Sequence, residues 1–133
     1  MPYRLTKTFR FEAAHHLPDH DGVCARPHWH SWVVHVSVSG DAIADSGPKA
    51  GMLMDYAELS AIVRPLIDVL DHSDLNEVFE NPTSEILACF LFRRISLLIP
   101  HGHGHVDAGA WPWRKLDAVR IEETCTAACE YLE

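Results

Sequence analysis

H-W-H-S-W-V-V-H-V-S-V-S, residues 28–39, decides the fold. It alternates apolar and polar residues like a half-buried strand. A strand points residues i and i+2 the same way. His28 and His30 therefore face the side shared by Trp32, Val34, Val36 and Val38. The earlier stretch L-T-K-T-F-R-F-E-A-A-H, residues 5–15, alternates as well, and His15 has the parity of Phe9, Phe11 and Ala13. Three imidazoles on the inner face of two adjacent strands can hold a zinc ion and leave one coordination position open. That is the pattern of a catalytic site rather than a closed structural one. Cys24 lies only four residues before His28. A lone histidine on an apolar face is usually a packed core residue; the matched parity of three favours ligands. His16, His20 and His35 fall outside the pattern and read as structural or solvated.

The chain has 133 residues, enough for one domain with its own core. Apolar residues make up 47% and charged residues 23%, an ordinary globular balance. A net charge of −8 argues against a general nucleic-acid binder, which needs a basic face for phosphates. It leaves room for an anionic small substrate, because a site can be locally positive. No apolar run approaches the ~20 residues of a membrane span. The start, M-P-Y-R-L-T-K, lacks the apolar core of a signal peptide. A cytoplasmic protein with four reduced cysteines is expected. Cys89 falls in a helix pattern and reads as packing, while Cys125 and Cys129 read as structural thiols with a minor redox or metal role left open.

Outward from the histidine strand, the spacing predicts strands over 4–14 and 30–39, with a loop of turn residues between them. After a second loop at 45–50, Leu59, Ile62, Val63, Leu66, Ile67 and Leu70 follow a helical stripe. Asp55 and Glu58 resemble a capping box, and Pro65 should bend or divide the helix. N-P-T-S-E, residues 81–85, opens a second helix with a proline suited to the first turn, and Pro100 stops it. Residues 101–115 read as an irregular loop whose H-x-H-x-H run is either a metal binder or, more simply, solvated. A third strand covers 116–124, with Val119, Ile121 and Glu123 on one face, and a short last strand lies near 129–132. The order ββααββ implies an α+β fold: a four-stranded antiparallel sheet with two helices on one face. So small a sheet leaves two open edges, and subunit association is one way to cover them.

Two further features carry chemistry. Asp71 and His72 stand together directly after the first helix, a common pairing with little weight alone. Glu123 continues an apolar parity, and a carboxylate there needs a partner. Either a buried salt bridge or the N–H groups of a ligand would supply one.

Six motifs now stand in order: F-E-A-A-H-H-L-P (11–18), C-A-R-P-H-W-H (24–30), G-M-L-M-D-Y (51–56), L-D-H-S-D-L-N (70–76), N-P-T-S-E (81–85) and E-T-C-T-A-A-C (123–129). Together they resemble the 6-pyruvoyl-tetrahydropterin synthase family over nearly the whole chain, with about 101–115 standing outside as an insertion. The E-T-C-T-A-A-C ending and the three residues between Cys24 and His28 favour its 6-carboxytetrahydropterin branch, which serves queuosine and other 7-deazaguanine biosynthesis. The resemblance implies a tunnelling fold, in which trimers close a barrel of strands and two trimers stack into a hexamer. It implies a catalytic zinc on His15, His28 and His30, Cys24 as general base, and Asp71 with His72 as a proton relay. Glu123 would anchor the pterin ring, with Thr83 and Ser84 near the same pocket. Sites in this family lie between subunits. The implied substrate is 7,8-dihydroneopterin triphosphate, and the implied products are 6-carboxy-5,6,7,8-tetrahydropterin, acetaldehyde and triphosphate. The alternatives are a pyruvoyl-forming synthase and a homologue that binds zinc or pterin without catalysis.

Two departures stand out. Trp29 replaces a glycine usual between the two histidines, although in a strand it points away from the metal face. Val23 replaces a lysine common before the cysteine; Arg26 remains as a cation able to compensate toward the phosphates.

Overall fold

The computed structural model describes residues 2–100, 105–106, 109–110 and 113–133. The chain runs through β1 (Tyr3–His15), β2 (His28–Gly40), α1 (Tyr56–Leu70), β3 (Ser73–Asp74), α2 (Ser84–Leu98), β4 (His105–Val106), β5 (Gly109–Ala110), β6 (Arg114–Thr124) and β7 (Ala127–Leu132). The main sheet has the order β3-β1-β2-β6-β7. It therefore has five strands and is mixed, where four antiparallel strands are expected from the sequence. The addition is β3, whose two residues run parallel to β1 opposite Ala13 and Ala14. A two-residue strand is too short to show any periodicity. The other strand pairs are antiparallel, with β1 and β2 in unbroken register from Tyr3 opposite Gly40 to His15 opposite His28.

Parity organises the core as the alternation implies. Phe9, Phe11 and Ala13 of β1, Trp32, Val34, Val36 and Val38 of β2, and Val119 and Ile121 of β6 are all buried in one cluster. The helices close it with Leu59, Val63, Ile67 and Leu70 from α1 and Leu87, Leu91 and Ile95 from α2. Both helices thus cover the same face of the sheet. Trp32, the largest fully buried side chain, donates its indole N–H to the Ala13 carbonyl at 3.2 Å. Left unmade, that bond would cost about 1–3 kcal/mol.

Local details differ from the simplest reading of the sequence. Asp55 caps α1 by accepting from the Ala57 N–H at 2.9 Å, but Glu58 does not complete a capping box. It pairs instead with the buried Arg114 guanidinium at 3.0 Å. Pro65 does not divide α1, which runs unbroken through it. Pro82 lies before the cap residue Thr83 rather than inside the first turn of α2. Gly40 ends β2 where a Cβ would come within 2.7 Å of the Trp113 carbonyl oxygen, so only glycine fits that crossing. The H-x-H-x-H run lies outside the described residues apart from the backbone of His105 in β4, while Arg114 and Lys115 begin β6. Among the described residues no helix is long and apolar enough to cross a membrane.

Candidate metal centre and its cleft

The register that places His15 opposite His28 brings both to one end of the sheet, with His30 one inward position along β2. The three imidazole rings meet edge-on with centroids 4.5, 5.1 and 4.8 Å apart. Glu123 reaches them from β6, and one ligating atom from each of the four residues lies within 4.8 Å of the others. Glu123 is also the extra residue of a bulge, since Glu122 pairs with Ala128 and Thr124 with Ala127. Bulges re-aim side chains and recur beside active sites.

Backbone carbonyls fix the histidines. His15 donates from Nδ1 to the Pro82 carbonyl at 2.8 Å, and His28 donates from Nδ1 to the Arg26 carbonyl at 2.7 Å. A carbonyl only accepts, so a proton sits on Nδ1, which leaves Nε2 as the ring atom that can turn a lone pair inward. Trp32 packs edge-on against both His15 and His30, with centroids 5.0 and 5.3 Å away. Burial pushes the His30 imidazole below its usual pKa, against the raising pull of Glu123, while His15 and His28 add to the lowering. A neutral ring is the form that ligates a metal.

These residues fit a divalent cation by a test of their own. His15 Nε2 and His30 Nε2 are buried and have no hydrogen-bond partner among the described residues, although buried polar atoms are normally paired. Two orphaned imidazole nitrogens beside a third and a carboxylate form a donor set suited to zinc.

Cys24 lies in a 3-10 turn, Val23–Ala25, that Leu17 holds by donating its N–H to the Cys24 carbonyl at 2.7 Å. Val23, Cys24, Arg26, His28, His30, Glu123 and Thr124 line one open cavity of about 360 Å³. The thiol, the one cation of that lining and the metal ligands thus share a cleft. Ser84 joins them by donating its hydroxyl to Glu123 Oε2 at 3.4 Å. Thr83 is committed to capping α2, accepting from the Ile86 N–H at 3.2 Å.

Asp71 and His72 are placed otherwise. Asp71 Oδ1 accepts from the Glu12 N–H at 2.9 Å, and its Oδ2 lies 3.0 Å from His72 Nδ1. The His72 N–H donates to the Glu12 carbonyl at 2.6 Å. This clamp holds His72 at φ +57°, a left-handed conformation that costs a non-glycine residue about 1–2 kcal/mol. The Glu12 amide, opposed by desolvation and aided by His72, keeps the Asp71 carboxyl below its usual pKa. The His72 side chain is 78% exposed, and among the described residues no hydrogen bond or ion pair joins the pair to Cys24 or the three histidines.

The histidines outside the pattern behave as expected. His35 accepts or donates at 2.8 Å to Thr8 and lies 3.3 Å from Glu122 on the opposite face of the sheet, which also separates Glu122 from the site. His20 meets the Gly22 N–H at 2.9 Å. Sequence reasoning missed the two positioning carbonyls, of Pro82 and Arg26, and the packing role of Trp32. Only Trp32 carries a signal, since it shares the inward parity of His28 and His30.

The family model described as 6-pyruvoyl tetrahydropterin synthase matches residues 4–133. A Synechocystis protein named 6-carboxy-5,6,7,8-tetrahydropterin synthase is 39% identical, with 96% of this chain and 91% of the relative covered. A Pyrococcus furiosus protein named dihydroneopterin monophosphate aldolase is 30% identical over 75% of this chain and 81% of its own length. The solved 6-pyruvoyl tetrahydropterin synthase of Caenorhabditis elegans superposes with a TM-score of 0.76 at 25% identity, covering 98% of this chain and 95% of that one.

Proposed function

The chain belongs to the 6-pyruvoyl tetrahydropterin synthase family, and we propose that it is a zinc-dependent lyase of that family's carboxy branch. The reaction is conversion of 7,8-dihydroneopterin triphosphate and water to 6-carboxy-5,6,7,8-tetrahydropterin, acetaldehyde and triphosphate, within queuosine or 7-deazaguanine biosynthesis. The observation that carries this reading is the convergence of two orphaned imidazole nitrogens, a third imidazole and Glu123 at the mouth of a cleft that also holds Cys24. The similarity to the Synechocystis 6-carboxytetrahydropterin synthase over nearly the full length supports the carboxy product.

His15, His28 and His30 hold the zinc, which when bound supplies Lewis acidity toward the substrate's side-chain oxygens. The Pro82 and Arg26 carbonyls keep two of these rings in the ligating tautomer. Cys24, as thiolate, takes a proton from a side-chain carbon in the same cleft. His72, oriented by Asp71, returns a proton elsewhere on the substrate. Glu123 accepts from two adjacent N–H groups of the pterin ring through both its oxygens, with the Ser84 hydroxyl also donating to Oε2. Arg26 offers its charge to the phosphates. His72 and Asp71 come from a neighbouring subunit, because within one chain they are not joined to the cleft. Trimers that pair the open sheet edges, stacked as a hexamer in the cytoplasm, would supply that neighbour.

Product analysis tests the reading. Zinc-loaded protein is incubated with 7,8-dihydroneopterin triphosphate, and pterins and aldehydes are followed by mass spectrometry. Acetaldehyde with 6-carboxytetrahydropterin is expected. 6-Pyruvoyl-tetrahydropterin would move the chain to the pyruvoyl reaction. Glycolaldehyde would reveal a retro-aldol cleavage, the reaction class named for the Pyrococcus relative. No turnover by zinc-loaded protein would leave a binding homologue.

A further inference from the structure

We propose that Glu123 is the fourth metal ligand of the resting protein and gives up that place when a pterin ring arrives, so that the substrate itself opens the metal's reactive position. This rests on the metal and pterin roles given above and adds an exchange between them.

The distances support coordination. Glu123 Oε1 lies 3.1 Å from His15 Nε2 and 3.2 Å from His30 Nε2. A tetrahedral ion with bonds of about 2.0–2.2 Å sets neighbouring ligand atoms roughly 3.3–3.5 Å apart. The observed separations fall within a few tenths of an ångström of that edge.

The hydrogen-bond pattern points the same way. Close as they are to a carboxylate oxygen, neither Nε2 makes a hydrogen bond to it. In a neutral ring whose proton sits on Nδ1 toward Pro82, Nε2 turns a lone pair toward the lone pairs of Oε1. Two acceptors 3.1 Å apart repel unless a cation lies between them. An imidazolium would relieve the repulsion only with its N–H aimed at the oxygen, and neither ring has that geometry. A cation away from the N···O line satisfies all the atoms together.

Exchange follows from the chemistry of one carboxylate. A pterin anchored through two adjacent N–H groups needs both oxygens of Glu123 in a side-by-side pair. Coordination holds Oε1 turned toward the metal, whereas the side-by-side pairing needs both oxygens turned toward the ring. The bulge leaves the Glu123 backbone without a cross-strand partner among the described residues, and bulges re-aim side chains. At rest the carboxylate also partly neutralises the cation and occupies the position that water or a stray anion would otherwise take. Its departure restores the full charge when the side-chain oxygens come within reach.

The test uses the full chain loaded with Co²⁺, whose visible spectrum reports its ligands. Co²⁺ X-ray absorption of wild type should fit three imidazoles and one carboxylate. Glu123→Gln should bind Co²⁺ at least about tenfold more weakly, by the scale of effects seen around metal sites. Adding 2-amino-4-oxopteridine, which has no side chain to reach the metal, should shift the Co²⁺ spectrum of wild type and leave that of Glu123→Gln unchanged. Identical Co²⁺ affinity and spectra in the two proteins would overturn the ligation. Pteridine that fails to bind, or that binds without a spectral shift, would overturn the exchange. Either result alongside formation of 6-carboxytetrahydropterin leaves the functional reading intact and removes only this inference. A wild type that binds no Co²⁺ removes both.

Discussion

The metal corner lies at one end of the main sheet and the Asp71–His72 pair in the turn between α1 and β3, and they are built in opposite ways. His15 is 1% exposed, its ring is pinned by a carbonyl and a tryptophan, and it clusters with His28, His30 and Glu123 of the same chain. His72 is 78% exposed and, among the described residues, bonded only to its neighbour Asp71 and to the backbone of Glu12. One cluster is assembled and buried inside a single chain; the other pair is presented outward. A buried ligand cluster needs only strand parity and packing to assemble. An oriented but exposed acid–base pair acquires a purpose when a second surface is brought against it.

Substitutions that break the metal corner should have the largest effects. His15→Ala removes a ligand, leaves the Pro82 carbonyl unpaired and opens a hole beside Trp32. Loss of bound zinc, background turnover and a stability loss of about 1–3 kcal/mol are expected, read by metal analysis and urea unfolding. Retention of one zinc per chain would show that the histidines are packing residues.

Cys24→Ala should leave fold and zinc in place while lowering kcat by roughly 10²–10⁴-fold, the usual worth of a positioned base. Full activity without the thiol would remove Cys24 from the mechanism.

Asp71→Asn separates the two regions by pH. The folded-state pKa of Asp71 is depressed, so its contribution to stability is fully present above the unfolded value and is lost as pH falls through the folded one. Wild type should therefore exceed Asp71→Asn in stability at neutral pH, with the gap closing in acid. Urea midpoints from pH 7 down to 2 would measure it. A constant gap would mean that Asp71 acts by shape alone.

The smallest effect is expected at Trp29, which is 63% exposed, lies opposite Ala14 and points away from the metal face. Trp29→Ala should keep its zinc and change stability by no more than about 1 kcal/mol. A lost metal would show that the bulky residue between two ligands props up their strand.

Much of the corner was legible because a period of two is a strong signal over thirteen-residue strands. Parity alone put His15, His28, His30 and Glu123 on one side, and the register of β1 with β2 did the rest. The family motifs named Cys24, Asp71 and His72, which periodicity does not single out. Other features leave no mark in residue types. The carbonyls of Pro82 and Arg26 are backbone groups that any residue carries. β3 is two residues long and depends on the turn after α1 meeting the end of β1. Glu58 left its capping box because Arg114, more than fifty residues away, is buried beside it. Thr83 has both a motif position and a capping role, and only the structure shows which one occupies its hydroxyl.

The most direct test of a site completed between chains is to mix two inactive proteins, Cys24→Ala and His72→Ala, under conditions that exchange subunits. If the thiol and the relay meet across an interface, activity should return to about one quarter of wild type, the share of interfaces that random mixing leaves intact. Mixtures as inactive as their components, with exchange verified by mass, would place the whole site within one chain and contradict the account.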